Sequence, residues 1–279
     1  MKITALLLLL LALAACSPLA ALNVLVPKSG FERQADLSYG NEPRQRLDVY
    51  VPRAAATPAP VVVFFYGGSW QGGSRESYLF VAEALVSQGF VVVAPDYRVY
   101  PEVRYPGFLE DGAAAVAWTR REISRHGGDP AQIYVMGHSA GAHIAAMLAY
   151  DDEWLRKEGL ARTDLAGFIG LAGPYDFLPL TDPKVKAVFS SEPQLSRTQP
   201  ITYVRGGEPR SLLITGDSDT TVSPRNTSRL AEKLRSVGSV VVEKHYEKPN
   251  HYTLLAALAS PLRNDDLLGT IAGFVRARP

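Results

Sequence analysis

The chain has 279 residues, a net charge of +1 at pH 7 and a single cysteine, Cys16. A chain of this length buries enough apolar surface for one large domain, and a lone cysteine excludes both an intramolecular disulfide and a cysteine cluster for a metal. The basic residues are dispersed along the chain, and with the near-zero net charge this argues against nucleic acid as a partner.

The N-terminal residues predict an export signal. Lys2 precedes an apolar run over residues 3–15, which is too short to span a bilayer comfortably but has the length of a signal h-region. The run closes in Leu-Ala-Ala-Cys, ending at Cys16, and this pattern resembles a bacterial lipobox. In that class of signal the cysteine is lipidated and becomes the first mature residue. The alternative is an ordinary signal peptide that happens to contain a cysteine.

We therefore expect a signal peptide over residues 1–15, a tether over residues 16–34 and a folded domain over residues 35–279. The protein is then an exported bacterial lipoprotein of the cell envelope, attached to the membrane by lipid on Cys16. Ser17, rather than an aspartate, favours the outer membrane if the host is Gram-negative. No later apolar run has transmembrane length.

Beyond the tether, strand-like and helix-like stretches alternate. Apolar, strand-like runs occupy residues 47–51, 61–65, 90–97, 132–136, 165–171, 211–215 and 239–246. The middle runs are continuous and rich in β-branched residues, which is typical of strands buried on both faces of a parallel sheet. Helical patterns cover residues 75–88, 107–126, 139–150, 224–237 and 265–277. This alternation predicts an α/β fold with a doubly wound, mostly parallel sheet.

Glycines and a predicted turn support these helix and strand boundaries. Gly89, Gly127 and Gly238 stand at or just past three predicted helix ends, where glycine readily adopts the left-handed conformation. Residues 36–51, with a turn at residues 40–43, are predicted to form an antiparallel hairpin on the edge of the sheet.

The stretch Gly137-His138-Ser139-Ala140-Gly141 falls between a predicted strand and a predicted helix. The glycines indicate either a tight connection that needs small residues or a nucleophile elbow, the G-x-S-x-G turn that lifts a serine hydroxyl above the sheet. At these residues the chain resembles the α/β-hydrolase family, in its carboxylesterase branch of hormone-sensitive-lipase-like esterases, prenylcysteine methylesterases and kynurenine formamidases. The resemblance covers most of residues 45–277. It implies an α/β-hydrolase fold with helices on both faces of the sheet and a short cap, which we place at about residues 177–207.

A serine nucleophile needs a base, and an acid to orient the base. Three histidines follow Ser139. His143 lies one turn along the same helix and is predicted to be structural, and His245 falls within a strand pattern. His251 follows the last predicted strand in a Pro-Asn loop, at a strand's carboxyl end, and is the predicted base.

The acid is expected after the preceding strand. The family's G-x-x-D pattern, with Val222 three residues further on, selects Asp219. Asp217 is predicted to be a turn residue that bonds the loop backbone. Asp176 remains the alternative acid, since it also follows a strand that ends at the same edge.

Acyl transfer also needs donors for the developing oxyanion. One is the backbone N–H of Ala140, directly after the nucleophile. The loop after strand 61–65 reads Tyr-Gly-Gly-Ser-Trp and resembles the family's H-G-G-x-W motif, which assigns Gly68 and Ser69 as donors. Tyr66 replaces the usual histidine. A glycine-rich loop without this role is the alternative, whereas a P-loop is excluded because no Lys-Ser/Thr follows.

The resemblance implies a serine carboxylesterase for small, aryl or short-acyl esters that needs no metal or organic cofactor. An arylformamidase-like amidase is the first alternative, and a non-catalytic binding protein on the same fold is the second. Aromatic side chains are expected to line the substrate pocket: Tyr66, Trp70, Tyr97, Tyr100 and Tyr175.

Overall fold

The computed structural model describes residues 18–54 and 58–277, so that the predicted signal peptide and Cys16 lie outside the described residues. Eight strands form one sheet in the order β1-β2-β4-β3-β5-β6-β7-β8. The strands are β1 (Phe31–Ser38), β2 (Arg46–Pro52), β3 (Ala59–Phe65), β4 (Val91–Pro95), β5 (Gly128–His138), β6 (Leu165–Leu171), β7 (Ser211–Gly216) and β8 (Val241–Tyr246).

The sheet is mostly parallel. From β4 through β3, β5, β6 and β7 to β8, every neighbouring pair runs parallel, whereas β1 pairs antiparallel with β2, and β2 antiparallel with β4. All five residues of β4 are buried, and since successive side chains point to opposite faces, both faces of the sheet are covered there. The fold is therefore the predicted α/β class, with the predicted hairpin on its edge.

Nine α-helices accompany these strands in the part of the chain that the structure describes. They are α1 (Pro18–Val24), α2 (Leu79–Val86), α3 (Gly107–Glu122), α4 (Ala140–Tyr150), α5 (Asp152–Lys157), α6 (Pro183–Val188), α7 (Arg225–Ser236), α8 (His251–Ala256) and α9 (Asp265–Arg276). Every residue of α4 is buried, and its small alanines let it pack closely against the sheet. Within residues 18–54 and 58–277 no helix has the length and apolar character needed to cross a bilayer.

The predicted helix ends agree closely with the structure. Gly89, Gly127 and Gly238 have φ angles of 87°, 76° and 76°, so each adopts the left-handed conformation that was expected of it. The short helices at Arg75–Tyr78 and Ile123–His126 are 3₁₀ extensions of α2 and α3, which explains why the sequence pattern reads each pair as one helix.

The predicted tether is structured from Pro18 onward, which differs from the expectation. Helix α1 packs against the domain, because the Asn23 side chain donates to the Glu76 carbonyl (2.8 Å) and accepts from the Phe80 N–H (3.2 Å). Strand β1 then begins at Phe31, before the predicted domain boundary. Most residues of β1 are polar and exposed, so the strand pattern is weak before residue 36, where the predicted hairpin begins, and the pairing with β2 identifies the rest of the edge strand.

Candidate active site

Ser139 lies on the turn between β5 and α4. Its backbone angles, φ 55° and ψ −124°, are sparsely populated for a residue with a side chain. The Ser139 N–H donates to the Leu171 carbonyl at the end of β6 (3.0 Å), which holds the turn in this conformation. Strain of this kind, maintained by the surrounding structure, is characteristic of functional positions.

The glycines on either side of Ser139 are required sterically. A Cβ on Gly137 would lie 2.2 Å from the Gly141 carbonyl oxygen, and a Cβ on Gly141 would lie 2.0 Å from the Phe65 carbonyl oxygen. Both contacts are with backbone atoms and cannot be relieved by a side-chain movement. The predicted steric reason for glycine at these two positions is confirmed, since a side chain at either would collide with the neighbouring backbone.

Asp219 and His251 form a buried pair after β7 and β8. The His251 Nδ1 lies 2.7 Å from the Asp219 Oδ2, and the two side chains are 4% and 0% exposed. A carboxylate only accepts hydrogen bonds, so Nδ1 carries a proton, and Nε2 is the acceptor when the ring holds one proton. The pair therefore fixes the tautomer of the His251 ring and leaves Nε2 as its basic nitrogen.

Backbone groups hold both members of the pair. The second carboxylate oxygen of Asp219 accepts from the N–H groups of Thr221 (2.8 Å) and Val222 (2.9 Å). His251 is the first residue of α8, whose N-terminus is capped by the Asn250 side chain. The Asp219 carboxylate is therefore fixed by the backbone, and His251 by its place at the capped start of α8.

The alternative carboxylates are engaged elsewhere. Asp176 lies 2.5 Å from the Arg229 guanidinium, and Asp217 lies 2.7 Å from the His245 Nδ1. The expectation that Asp217 bonds the loop backbone is wrong, because its carboxylate pairs with this neighbouring histidine. Burial alone lowers the pKa of His245, but its hydrogen bonds to Asp217 and Glu243 raise it overall.

The loop after β3 carries unused N–H groups. Gly68, Ser69 and Trp70 have φ angles of 140°, 54° and 59°, so three successive residues depart from ordinary backbone conformations. Within the described residues, the N–H groups of Gly68 and Ser69 donate to no acceptor. Ala140 begins α4, and its N–H has no acceptor one turn earlier in the helix. Gly68 and Ser69 line the same cavity as Ser139.

Tyr66 braces this loop from beneath. Its ring stacks on Tyr78 and Tyr97, with ring centroids 5.5 Å and 4.6 Å away, and its hydroxyl accepts from Arg44 (3.1 Å). Tyr97 in turn donates to the Tyr66 carbonyl (2.7 Å). Tyr66, which replaces the histidine of the motif, therefore stabilises the loop by packing.

The predicted aromatic pocket is largely wrong. Of the five aromatic residues proposed to line it, Trp70 lines a cavity at Ser139. The other four are absent from the described walls of both cavities there, and three of them are fully buried in the core: Tyr66, Tyr97 and Tyr175. Loop position in the sequence cannot show on which side of the loop a ring packs.

His138, which the sequence reasoning passed over, contacts the His251 backbone. Its Nε2 lies 3.0 Å from the His251 carbonyl oxygen, and the two rings are 4.7 Å apart. Burial, together with the nearby His251, lowers the pKa of His138 to about 3. The ring is therefore neutral, and Nε2–H donates to the carbonyl. No local signal points to this contact, because it joins residues 113 positions apart.

His143 connects α4 to the segment between β6 and β7. Its Nε2 lies 2.8 Å from the Thr198 carbonyl, and its ring packs edge-on against Trp70. Burial lowers the pKa of His143 to about 4. The prediction that His143 is structural is confirmed.

The low pKa of His143 makes a contribution to stability that depends on pH. Below the ordinary pKa of 6.5, the unfolded state binds a proton that the folded state does not bind until about pH 4, so the free energy of unfolding falls as the pH is lowered. His143→Gln removes this term. When the pH is lowered from 7 to 5, we expect the free energy of unfolding of the wild type to fall by about 2 kcal/mol more than that of the variant, as measured by urea unfolding. Parallel pH profiles for the two proteins would contradict this.

Two cavities meet at Ser139. The cap-side cavity, about 350 Å³, lies against the segment that contains α6 and is lined by Phe177, Leu180 and Val185. The His251-side cavity, about 600 Å³, is lined by His251 and by residues of α1 and α8. Within residues 18–54 and 58–277, no group of three or more His, Cys, Asp or Glu side chains is arranged to hold a metal ion.

Comparison with known proteins places this arrangement in a family. A family model described as BD-FAE matches residues 47–234. A probable isoprenylcysteine alpha-carbonyl methylesterase, ICMEL1, from Oryza sativa subsp. japonica is 31% identical over 257 residues, which cover 84% of this chain and 60% of that protein. A kynurenine formamidase from Danio rerio is 33% identical over 160 residues, covering 55% of this chain and 52% of that protein.

The chain thus spans 60% or less of the length of these two relatives. Among solved structures, esterase B from Lactobacillus rhamnosis has the same fold, with a TM-score of 0.81 at 20% identity, covering 97% of this chain and 94% of that one. The family match includes the Ser139 turn, Asp219 and the loop after β3. The chain therefore belongs to the BD-FAE family, in the carboxylesterase branch of the α/β-hydrolases.

Proposed function

We propose that the protein is a serine hydrolase that cleaves carboxylic esters through an acyl-enzyme. The observation that carries this proposal is the buried His251–Asp219 pair, whose histidine lines the same cavity as Ser139. An imidazole oriented by a carboxylate, in the same cavity as a serine on a strained turn, has the properties that an acyl-transfer site needs.

The reaction proceeds in two halves. The Ser139 Oγ attacks the ester carbonyl while His251 Nε2 takes its proton, and the Asp219 carboxylate stabilises the resulting imidazolium. The N–H groups of Ala140, Gly68 and Ser69 bind the oxyanion, where each donor contributes about 10²–10³ in rate. His251 then gives its proton to the leaving alcohol. Water, deprotonated by His251, releases the acid and regenerates Ser139. No metal or organic cofactor takes part in this scheme.

Two substrate classes use this machinery, and the comparisons favour esters. The methylesterase relative covers 84% of the chain, whereas the kynurenine formamidase covers 55%. We propose small or short-acyl esters as substrates and an arylformamide as the second candidate. Rates with p-nitrophenyl acetate and with N-formylkynurenine, measured on the same preparation, separate the two.

A fluorophosphonate probe tests the nucleophile. We expect the probe to label the wild-type protein at Ser139 and to leave Ser139→Ala unlabelled, with the labelled peptide identified by mass spectrometry. The Ser236→Ala variant is a matched control, because this exposed serine at the end of α7 donates to the Lys233 carbonyl and lines neither cavity at Ser139. Absence of labelling in the folded wild type would favour a non-catalytic protein on this fold.

His138 is proposed as a positioning residue for His251. His138→Phe removes the donor to the His251 carbonyl, and we expect kcat to fall about 10- to 100-fold with little change in KM, since small displacements of a catalytic group have effects of this size. His138→Gln keeps an N–H donor and is expected to recover most of the loss. A rise in KM with unchanged kcat, or no recovery with glutamine, would contradict the positioning role.

We further propose that the protein is an envelope lipoprotein with lipid on Cys16. The sequence pattern at Cys16 supports this, as does the apolar run that precedes it. Metabolic labelling with an alkyne fatty acid is expected to tag the full-length protein, and Cys16→Ser is expected to abolish the tag and release the protein from the membrane fraction. Labelling that persists in Cys16→Ser would contradict the proposal.

A further inference from the structure

The two cavities at Ser139 have distinct walls. Ser139, Ser69 and Thr221 contribute to both cavities, so that an ester bonded at Ser139 reaches into both. One cavity must then receive the acyl part of the substrate and the other the alcohol part.

The position of His251 decides which part enters which cavity. His251 lines the larger cavity and is absent from the described walls of the cap-side cavity. In the proposed reaction, His251 protonates the leaving alcohol, so the leaving oxygen must lie within hydrogen-bond distance of its ring. The alcohol part of the substrate therefore extends into the His251-side cavity, and the acyl part occupies the cap-side cavity.

The His251-side cavity suits an apolar group without charge. Apart from the reacting residues, the loop after β3 and the polar side chains of His138 and Thr221, its wall is formed by Leu22 of α1, Leu255 and Ala256 of α8, and the rings of Tyr78 and Tyr252. The Tyr78 hydroxyl is already used, because it donates to the Gly67 carbonyl (3.2 Å). None of the described residues that line this cavity is Asp, Glu, Lys or Arg, so nothing there neutralises a charged leaving group.

The cap-side cavity is smaller and more polar. Its wall includes Thr181, Ser223, Asn226 and the Asp182 carboxylate, beside Phe177 and Val185. The Asp182 oxygen accepts from the N–H groups of Lys184 and Val185, which holds it in place at the edge of the cavity. An extended alkyl chain in this cavity lies against polar groups and loses part of the stabilisation that apolar burial provides.

We propose that the enzyme acts on esters whose bulk is an uncharged, apolar alcohol and whose acyl group is short. This inference rests on the proposed serine-esterase function. It states that the site selects its substrates by an apolar alcohol part, which is the leaving group. Helix α1, from the segment predicted to be a tether, contributes to that selectivity through Leu22.

A pair of isomeric esters tests the inference. Octyl acetate and methyl nonanoate have the same atoms and differ in which side of the ester carries the chain. Rates are measured by pH-stat below the solubility limit and divided by the rate of hydroxide hydrolysis of each ester. We expect kcat/KM for octyl acetate to exceed that for methyl nonanoate by about tenfold or more, a factor that two fully buried methylenes already supply.

Variants of the two walls are expected to move this ratio in opposite directions. Tyr252→Ser, at a position that is 70% exposed and tolerates substitution, lowers the ratio of octyl acetate to methyl nonanoate by about threefold. Val185→Ser, in the cap-side cavity, raises it. Leu262→Ser changes an exposed leucine that lines neither cavity and leaves the ratio unchanged.

The outcomes separate this inference from the function on which it rests. If Ser139→Ala abolishes the hydrolysis of both esters, the proposed esterase function stands. The inference about the alcohol part is then overturned if methyl nonanoate is the preferred ester, or if Tyr252→Ser leaves the ratio unchanged. Hydrolysis of neither ester, or activity that persists in Ser139→Ala, overturns both.

Discussion

Asp219→Asn is expected to lower kcat for p-nitrophenyl acetate by about 10⁴-fold, the size of effect seen when the acid of such a triad becomes an amide. The reason is the proton on His251. An amide N–H facing Nδ1 moves the ring proton to Nε2, which then cannot accept the proton of Ser139. The lost carboxylate charge also removes the stabilisation of the imidazolium.

The alternative carboxylates supply matched controls. Asp176→Asn and Asp217→Asn change acids that bind Arg229 and His245, and we expect each to alter kcat by less than about threefold. Near-UV circular dichroism checks that all three variants are folded. A large loss in Asp176→Asn with a small loss in Asp219→Asn would transfer the acid role to the loop after β6.

Gly141→Ala is expected to destabilise the protein by about 4 kcal/mol or more, which lowers Tm by roughly 10 °C. The added Cβ would lie 2.0 Å from the Phe65 carbonyl oxygen, so α4 and the end of β3 must separate to accommodate it. That movement also displaces Ser139 relative to the loop that carries Gly68 and Ser69. We therefore expect activity to be lost even below the new Tm, as measured by calorimetry and by esterase assay.

Gly273→Ala is the matched control for this substitution. Gly273 is exposed in α9, and a Cβ there meets nothing within 4 Å. Alanine in this position is expected to stabilise the helix by up to about 1 kcal/mol and to leave activity unchanged. Equal Tm values for Gly141→Ala and the wild type would show that the turn relaxes without strain.

The elements that the sequence predicts well are those with a strong local pattern. Strand β6 was predicted with its observed bounds, and α4 and α7 to within one residue at each end, because continuous apolar runs and alanine-rich or amphipathic periods are local properties. Strand β1 and helix α1 lack such a pattern. Their structure depends on pairing with β2 and on contacts of Asn23 with the region of α2, which no local window contains.

The same division holds for the site. Ser139, Asp219 and His251 could be predicted because each follows a strand of a parallel sheet, and chain order then places them at one edge. The contact of His138 with His251 and the division of the substrate space into two cavities could not. Both depend on how α1, α8 and the segment around α6 pack over that edge.

The pairing of β3 with β5 has a consequence for how new specificities arise. Phe65 and Gly137 are register partners at the ends of these strands, so the loop with Gly68 and Ser69 and the turn with Ser139 leave the sheet side by side. Main-chain hydrogen bonds between the two strands set their relative placement, and among the residues of the cavity walls Tyr78 adds a hydrogen bond to the Gly67 carbonyl of this loop. Substitutions at wall positions other than Tyr78 and His138 can therefore change which substrate the proposed enzyme accepts while the reacting groups keep their geometry, and a scaffold of this kind acquires new substrates in small steps.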